Sequence, residues 1–129
     1  MNALENAIKQ AITSYDDKKA IDKAYLEFIK ANFIIPVQVE LKNNEPVVLY
    51  LCEGEIIYLP VFTDKKYLNA WGDEIKDKIN LLVLSGVDLL NGIGENVSIC
   101  LNPGANISKI FNPEEIARLK NMIKKLWAK

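Results

Sequence analysis

Histidine is missing from this sequence altogether. With it go the usual general base, the commonest metal ligand and any Ser–His or Cys–His catalytic pair. Cysteine occurs only at Cys52 and Cys100, with no CxxC spacing, so a four-thiolate zinc site is excluded too. Such sparing use of cysteine points to a reducing compartment. No sign of charge prevails: 16 Lys and Arg stand against 17 Asp and Glu, a net charge of −1. The basic footprint of a nucleic-acid binder is therefore lacking. No apolar run approaches the roughly 18 residues of a membrane span. The segment Met1–Asn6 has no basic stretch leading into an apolar one, so no signal peptide is expected there. The expected location is the cytoplasm, or outside the cell by a route that leaves no cleavable signal. Neither GxGxxG nor GxxxxGK[ST] occurs; Gly92-Ile93-Gly94 lacks the rest of either pattern.

What remains reads as one domain over residues 1–129, since domains most often hold about 100–150 residues. Leu4, Ile8, Ala11, Ile12 and Tyr15 recur at helical spacing, with Glu5, Asn6, Lys9 and Gln10 opposite. Asp16-Asp17 offers a break and an N-cap. A second amphipathic helix carries Ile21, Ala24, Tyr25, Phe28 and Ile29. Alternation then takes over in 33–41, 47–52 and 55–62, separated by Asn43-Asn44 and Glu53-Gly54 turns, which predicts an antiparallel meander. Pro36 cannot donate to a ladder and is expected at a strand start or an edge.

The rhythm lengthens after Thr63-Asp64, which caps a helix with Tyr67, Leu68, Trp71 and Ile75. The apolar run 79–84 reads as a buried strand, Ser85 caps a short helix, and 97–101 is the fifth strand. The connections are long enough for crossovers, so the last strands are expected to run parallel to their predecessors. Asn112, Pro113 and Glu115 open a final helix, with Ile116, Leu119, Ile123, Leu126 and Trp127 as its apolar stripe. The predicted fold is α+β: a five-strand mixed sheet, a meander followed by two crossover helices, with two N-terminal helices and a C-terminal helix packed on it.

Each chemical candidate has a plainer explanation. Cys52 and Cys100 fall inside predicted strands, where free cysteine acts as a small buried hydrophobe. Asp16-Asp17, Asp73-Glu74 and Glu114-Glu115 sit at helix starts or on polar faces, not across a cleft as a glycosidase pair must. Trp71 and Trp127 lie on apolar stripes, which makes core packing their expected role over that of binding anchors. Asn102-Pro103-Gly104 is a turn signal, read as the exit from the fifth strand, with presentation of backbone donors to a ligand as its functional alternative. No catalytic residue, cofactor-binding residue or metal ligand is expected.

Three segments resemble one family. Leu59-Pro60-Val61-Phe62-Thr63-Asp64, followed by Leu68 and Trp71, is similar to the "iPvFTs…L..w" segment of the SseB family's N-terminal domain, named for enhanced serine sensitivity. Ser98 to Gly104 resembles that family's strand ending in "NPg", and Pro113-Glu114-Glu115-Ile116 its "peEi" helix start. Asp64 departs from the usual Ser, and either residue can cap a helix. The resemblance implies a small, mostly bacterial family with no established catalytic residue to carry over. It singles out Pro60, Phe62, Thr63, Leu68, Trp71, Asn102, Pro103 and Gly104 as motif residues, mainly structural.

The function expected is that of a non-enzymatic interaction module that binds a partner protein and regulates or inhibits it, with self-association as a homodimer. It involves neither nucleic acid nor membrane. The alternative is a small-ligand sensor linked to amino-acid metabolism, which the family name alone suggests.

Overall fold

The computed structural model describes residues 3–14, 16–38, 48–72 and 79–127. Five helices form among the described residues: α1 (Ala3–Thr13), α2 (Lys18–Lys30), α3 (Lys65–Trp71), α4 (Gly86–Gly92) and α5 (Pro113–Trp127). Four of them start where a short polar side chain accepts from an orphan amide of the first turn. Asp17 accepts from Lys19 N at 3.0 Å, Asp64 from Lys66 N at 2.9 Å, Ser85 from Asp88 N at 3.1 Å and Asn112 from Glu115 N at 2.9 Å. Each such cap stabilises its helix by about 1 kcal/mol. The expected turn at Asn43-Asn44, the ends of the first two strands at Val39–Leu41 and Val47, and Tyr15, Asp73-Glu74 and Ile75 lie outside the described residues.

The chain is α+β, but its strands differ from the expected five. Six are described: β1 (Asn32–Gln38), β2 (Leu51–Glu53), β3 (Ile56–Val61), β4 (Ile79–Ser85), β5 (Val97–Leu101) and β6 (Lys109–Phe111). They form a four-stranded sheet in the order β2-β3-β5-β6 and a two-stranded sheet, β1-β4. The β2–β3 hairpin turns through Gly54 (φ 62) and Glu55, matching the φ pattern of a type II′ turn. Of the two expected crossovers, β5 does run parallel to β3, whereas β4 comes back antiparallel to β1. The added strand β6 has three residues, too few for alternation to show.

Nor is β1 the edge that Pro36 suggested. It pairs along its whole length with β4 on one side, and on the other it meets Phe62 through Ile34 and Val48 through Val37. Ile34 exchanges both backbone bonds with Phe62, at 2.8 and 2.9 Å, and the Pro36 carbonyl accepts from Leu49 N at 3.2 Å. Backbone groups of alternate residues point the same way along a strand. The donor that Pro36 lacks therefore falls on the side towards Phe62 and Leu49. That side has isolated bridges in place of a ladder, and there the two sheets part. Among the described residues the edge is β4 instead. It is not the buried strand its apolar run predicted: Leu81 is 42% and Val83 63% exposed.

One face of the sheets carries the main core. Phe33, Ile35, Leu59, Val61, Ile99, Leu101 and Phe111 meet apolar side chains from α1, α2, α4 and α5. The Phe28 ring sits between them, with centroids 4.6 Å from Phe33 and 4.9 Å from Phe111. Burying one such ring contributes roughly 1.5–3 kcal/mol. The stripe of α1 is narrower than expected, since Ile12 is 59% exposed, and Leu126 of α5 is also exposed.

The cysteines depart from expectation too. Cys52 is exposed on the short strand β2, and Cys100 is half-buried. Burial pushes the Cys100 thiol above its ordinary pKa, so less of it is thiolate at any given pH. At pH 8, iodoacetamide followed by mass spectrometry should alkylate Cys52 well ahead of Cys100; equal rates would contradict this burial difference.

The packing of α4 on α2 depends on one glycine. Gly86 N donates to Ala31 O at 2.8 Å, and a Cβ on Gly86 would strike Phe28 O and lie 2.7 Å from Ile29 O. Those are backbone atoms and cannot swing aside. Gly86→Ala should destabilise the fold by about 3 kcal/mol in urea titration, the upper range for overpacking; an unchanged midpoint would refute the close approach.

Candidate functional site

Parallel neighbours end side by side, so β3 and β5 release their chains at one end of the sheet. Val61 pairs with Leu101 there, after which the chains diverge into Phe62-Thr63 and Asn102-Pro103-Gly104. Six of the eight motif residues lie along or just beyond these two strands, and Leu68 and Trp71 lie in α3, which follows β3. Pro60 is buried in β3 opposite Cys100. Phe62 is Ile34's bridge partner, so it shares that residue's face, opposite the main core. There α3 covers it: Phe62 and Leu68 are buried, and the half-buried Trp71 ring lies 5.4 Å from that of Phe62. The motif thus builds a second, smaller apolar cluster, and Trp71 is its rim.

Asn102 ties the diverging chains together. Its side chain is fully buried, its N–H bonds to Val61 O at 2.8 Å, and its Oδ1 accepts from Thr63 N at 3.0 Å. Its Nδ2 donates to Thr63 Oγ1 at 3.0 Å, and that hydroxyl donates in turn to Glu5 Oε1 at 2.8 Å. Only this assignment of amide O and N satisfies both the Thr63 amide and its hydroxyl. Asn102 stands at φ 49, in the left-handed region, although a residue before proline favours extended backbone. The hydrogen bonds hold it there. Asn102-Pro103-Gly104 is therefore a strand exit that carries a buried clasp at Asn102. Glu5, expected on the polar side of α1, is 3% exposed and belongs to the clasp.

Beside the clasp opens a cleft of about 810 Å³, lined by Lys9, Tyr67, Trp71, Pro103, Gly104 and neighbouring loop residues. The carboxyl ends of adjacent parallel strands are where open sheets commonly bind ligands. The groups here suit contact and stacking. The Thr63 hydroxyl does meet a carboxylate, but it also accepts from Asn102 and is held inside the network. Among the described residues no group of three His, Cys, Asp or Glu side chains could hold a metal ion, and no helix is long and apolar enough to cross a membrane.

With this geometry in place, the family assignment is direct. The model of the SseB protein N-terminal domain matches residues 4–118. The chain belongs to the SseB family. No curated protein and no solved structure gives a match. The matched span of this SseB domain takes in the clasp, α3 and the start of α5, so it covers every motif residue named above.

A second concavity, of about 440 Å³, lies among α1, α2 and α5 of the SseB domain. Tyr25 OH donates to Glu115 Oε2 at 3.3 Å, and Lys109 Nζ reaches the same oxygen at 3.0 Å. Burial raises the Tyr25 pKa and the Glu115 charge adds to it, while Arg118 opposes both. Sequence reasoning missed this cluster. Its one signal is Tyr25 itself, a phenol on an apolar stripe that needs a partner.

The clasp yields a measurable separation of effects. Asn102→Ala should lower stability by about 2 kcal/mol, because it leaves the half-buried Thr63 amide without its acceptor and takes a donor from the Thr63 hydroxyl. Asn102→Gly should recover about 1 kcal/mol of that through its tolerance of positive φ. Chemical denaturation that finds both variants as stable as the parent would remove the clasp from the account.

Proposed function

We propose that this SseB-family chain is a non-enzymatic protein-interaction module whose β4 edge docks on a partner protein and regulates or inhibits it. The observation that carries this reading is the chemistry of that edge. Ile34 directs its backbone bonds to Phe62, so its cross-strand partner Val83 directs its own N–H and C=O away from β1. Ile79 and Leu81 share that outward direction. The strand's sequence, Ile-Asn-Leu-Leu-Val-Leu-Ser, contains no charge and no proline. Those are the devices with which edge strands usually block pairing. Exposed Leu81 and Val83 supply apolar contact beside the open backbone groups, the combination that strand addition uses.

The simplest partner is a second copy, which gives the homodimer. Antiparallel pairing about a two-fold axis at Leu82 sets Leu81 of one protomer against Val83 of the other. A net charge of −1 gives little repulsion between copies. A module of this kind acts by covering its partner's surface, and hence as a regulator or inhibitor. Cytoplasmic residence is proposed on the sparing use of cysteine, both residues being free thiols.

Light scattering at micromolar concentration tests the reading. The chain should run as a dimer, or as a stoichiometric complex once mixed with host lysate. Val83→Lys should abolish either assembly while changing stability by less than about 0.5 kcal/mol, as exposed substitutions do. A monomer mass in both conditions would contradict the proposal.

A further inference from the structure

We infer that the concavity among α1, α2 and α5 is a binding site for a small carboxylate with a short aliphatic tail. This site belongs to the helix layer and does not rest on the β4 reading. Its volume of about 440 Å³ falls in the range of small-molecule sites, roughly 300–1,000 Å³. One wall is aliphatic, formed by Ile8, Ile12 and Ile21. The large exposure of Ile12, on a helix whose other apolar positions are mostly covered, fits a residue whose contact is a ligand.

The opposite end is polar and its charges do not cancel. Lys109 and the Tyr25 hydroxyl both engage Glu115 Oε2, which neutralises that carboxylate within the protein. Arg118, one turn further along α5, lines the same concavity and has no carboxylate partner among the described residues. One positive charge is thus in excess. A guanidinium presents a planar fork of donors that matches a carboxylate in bidentate fashion. An alkylammonium would meet Arg118 and Lys109 as like charges, and an uncharged chain would leave the guanidinium with the neutral Tyr25 hydroxyl and no counter-charge. An apolar wall and a guanidinium whose partner is the neutral Tyr25 hydroxyl together select an anionic head on an aliphatic tail.

Octanoate, 1-octanol and octylamine, titrated into the full chain and followed by amide NMR shifts and calorimetry, separate these cases. Octanoate should bind saturably at one site, with shifts confined to α1, α2, α5 and the start of β6 at Lys109. Octanol should bind about tenfold more weakly, the share of a charge-assisted bidentate contact, and octylamine should not bind. Arg118→Gln, at an exposed position, should reduce octanoate to the octanol level with an unchanged melting temperature, and Ile12→Ser should weaken both ligands. Equal binding of octanoate and octanol, insensitivity to Arg118→Gln, shifts centred on the β4 edge, or no saturation below the micelle-forming concentration would each overturn the inference.

Discussion

The Asn102 side chain stands between two chain segments that the sheet alone would let go. Parallel strands β3 and β5 hold each other as far as Val61 and Leu101; beyond that pair one chain turns into α3 and the other into the loop leading to β6. Both Thr63 backbone and Thr63 hydroxyl are captured by the one amide, and the hydroxyl passes the connection on to Glu5 in α1. Asn102 and Glu5 are buried and Thr63 is half-buried, so the cost of leaving any of these groups unpaired exceeds the modest net gain of making each bond. The clasp therefore acts as a requirement. It fixes where α3 begins, where the second apolar cluster forms, and where α1 lies against the sheet end.

The two faces of the sheets are served unequally. Four helices contribute to the main core on one face, whereas the described residues of the other face have the α3 cluster of Phe62, Leu68 and Trp71. Ile56, Leu81, Val83 and Ile110 stay exposed as a result. Single exposed apolar residues mean little. At β4 they coincide with outward backbone groups and an uncharged strand, and this coincidence is why the interaction reading rests on that edge.

Much of the helical structure was legible because caps and stripes are local signals. Asp17, Asp64, Ser85 and Asn112 each mark a helix start that the fold adopts. The α+β class and the family were legible too, from short motifs in a fixed order. Pairing was not, since it is decided by non-local contacts. Nothing near Pro36 states that its missing donor would face Phe62, nor does an apolar run at 79–84 reveal whether one side or both will be covered. Glu5 illustrates the same limit within a helix: it sits on the shoulder of the Leu4–Ile8 stripe, and only the Thr63 hydroxyl, distant in sequence, makes its burial favourable.

Native-state hydrogen exchange at the Thr63 amide addresses the central constraint most directly. By position Thr63 lies in a turn, outside every strand ladder, and its amide bonds to a side chain. If the clasp organises this end of the fold, that amide exchanges as slowly as those of Phe62 and Asn102, which bond to backbone carbonyls of the sheet. Exchange of Thr63 at the rate of an exposed loop amide, with Phe62 and Asn102 still protected, would show that the sheet holds without the clasp.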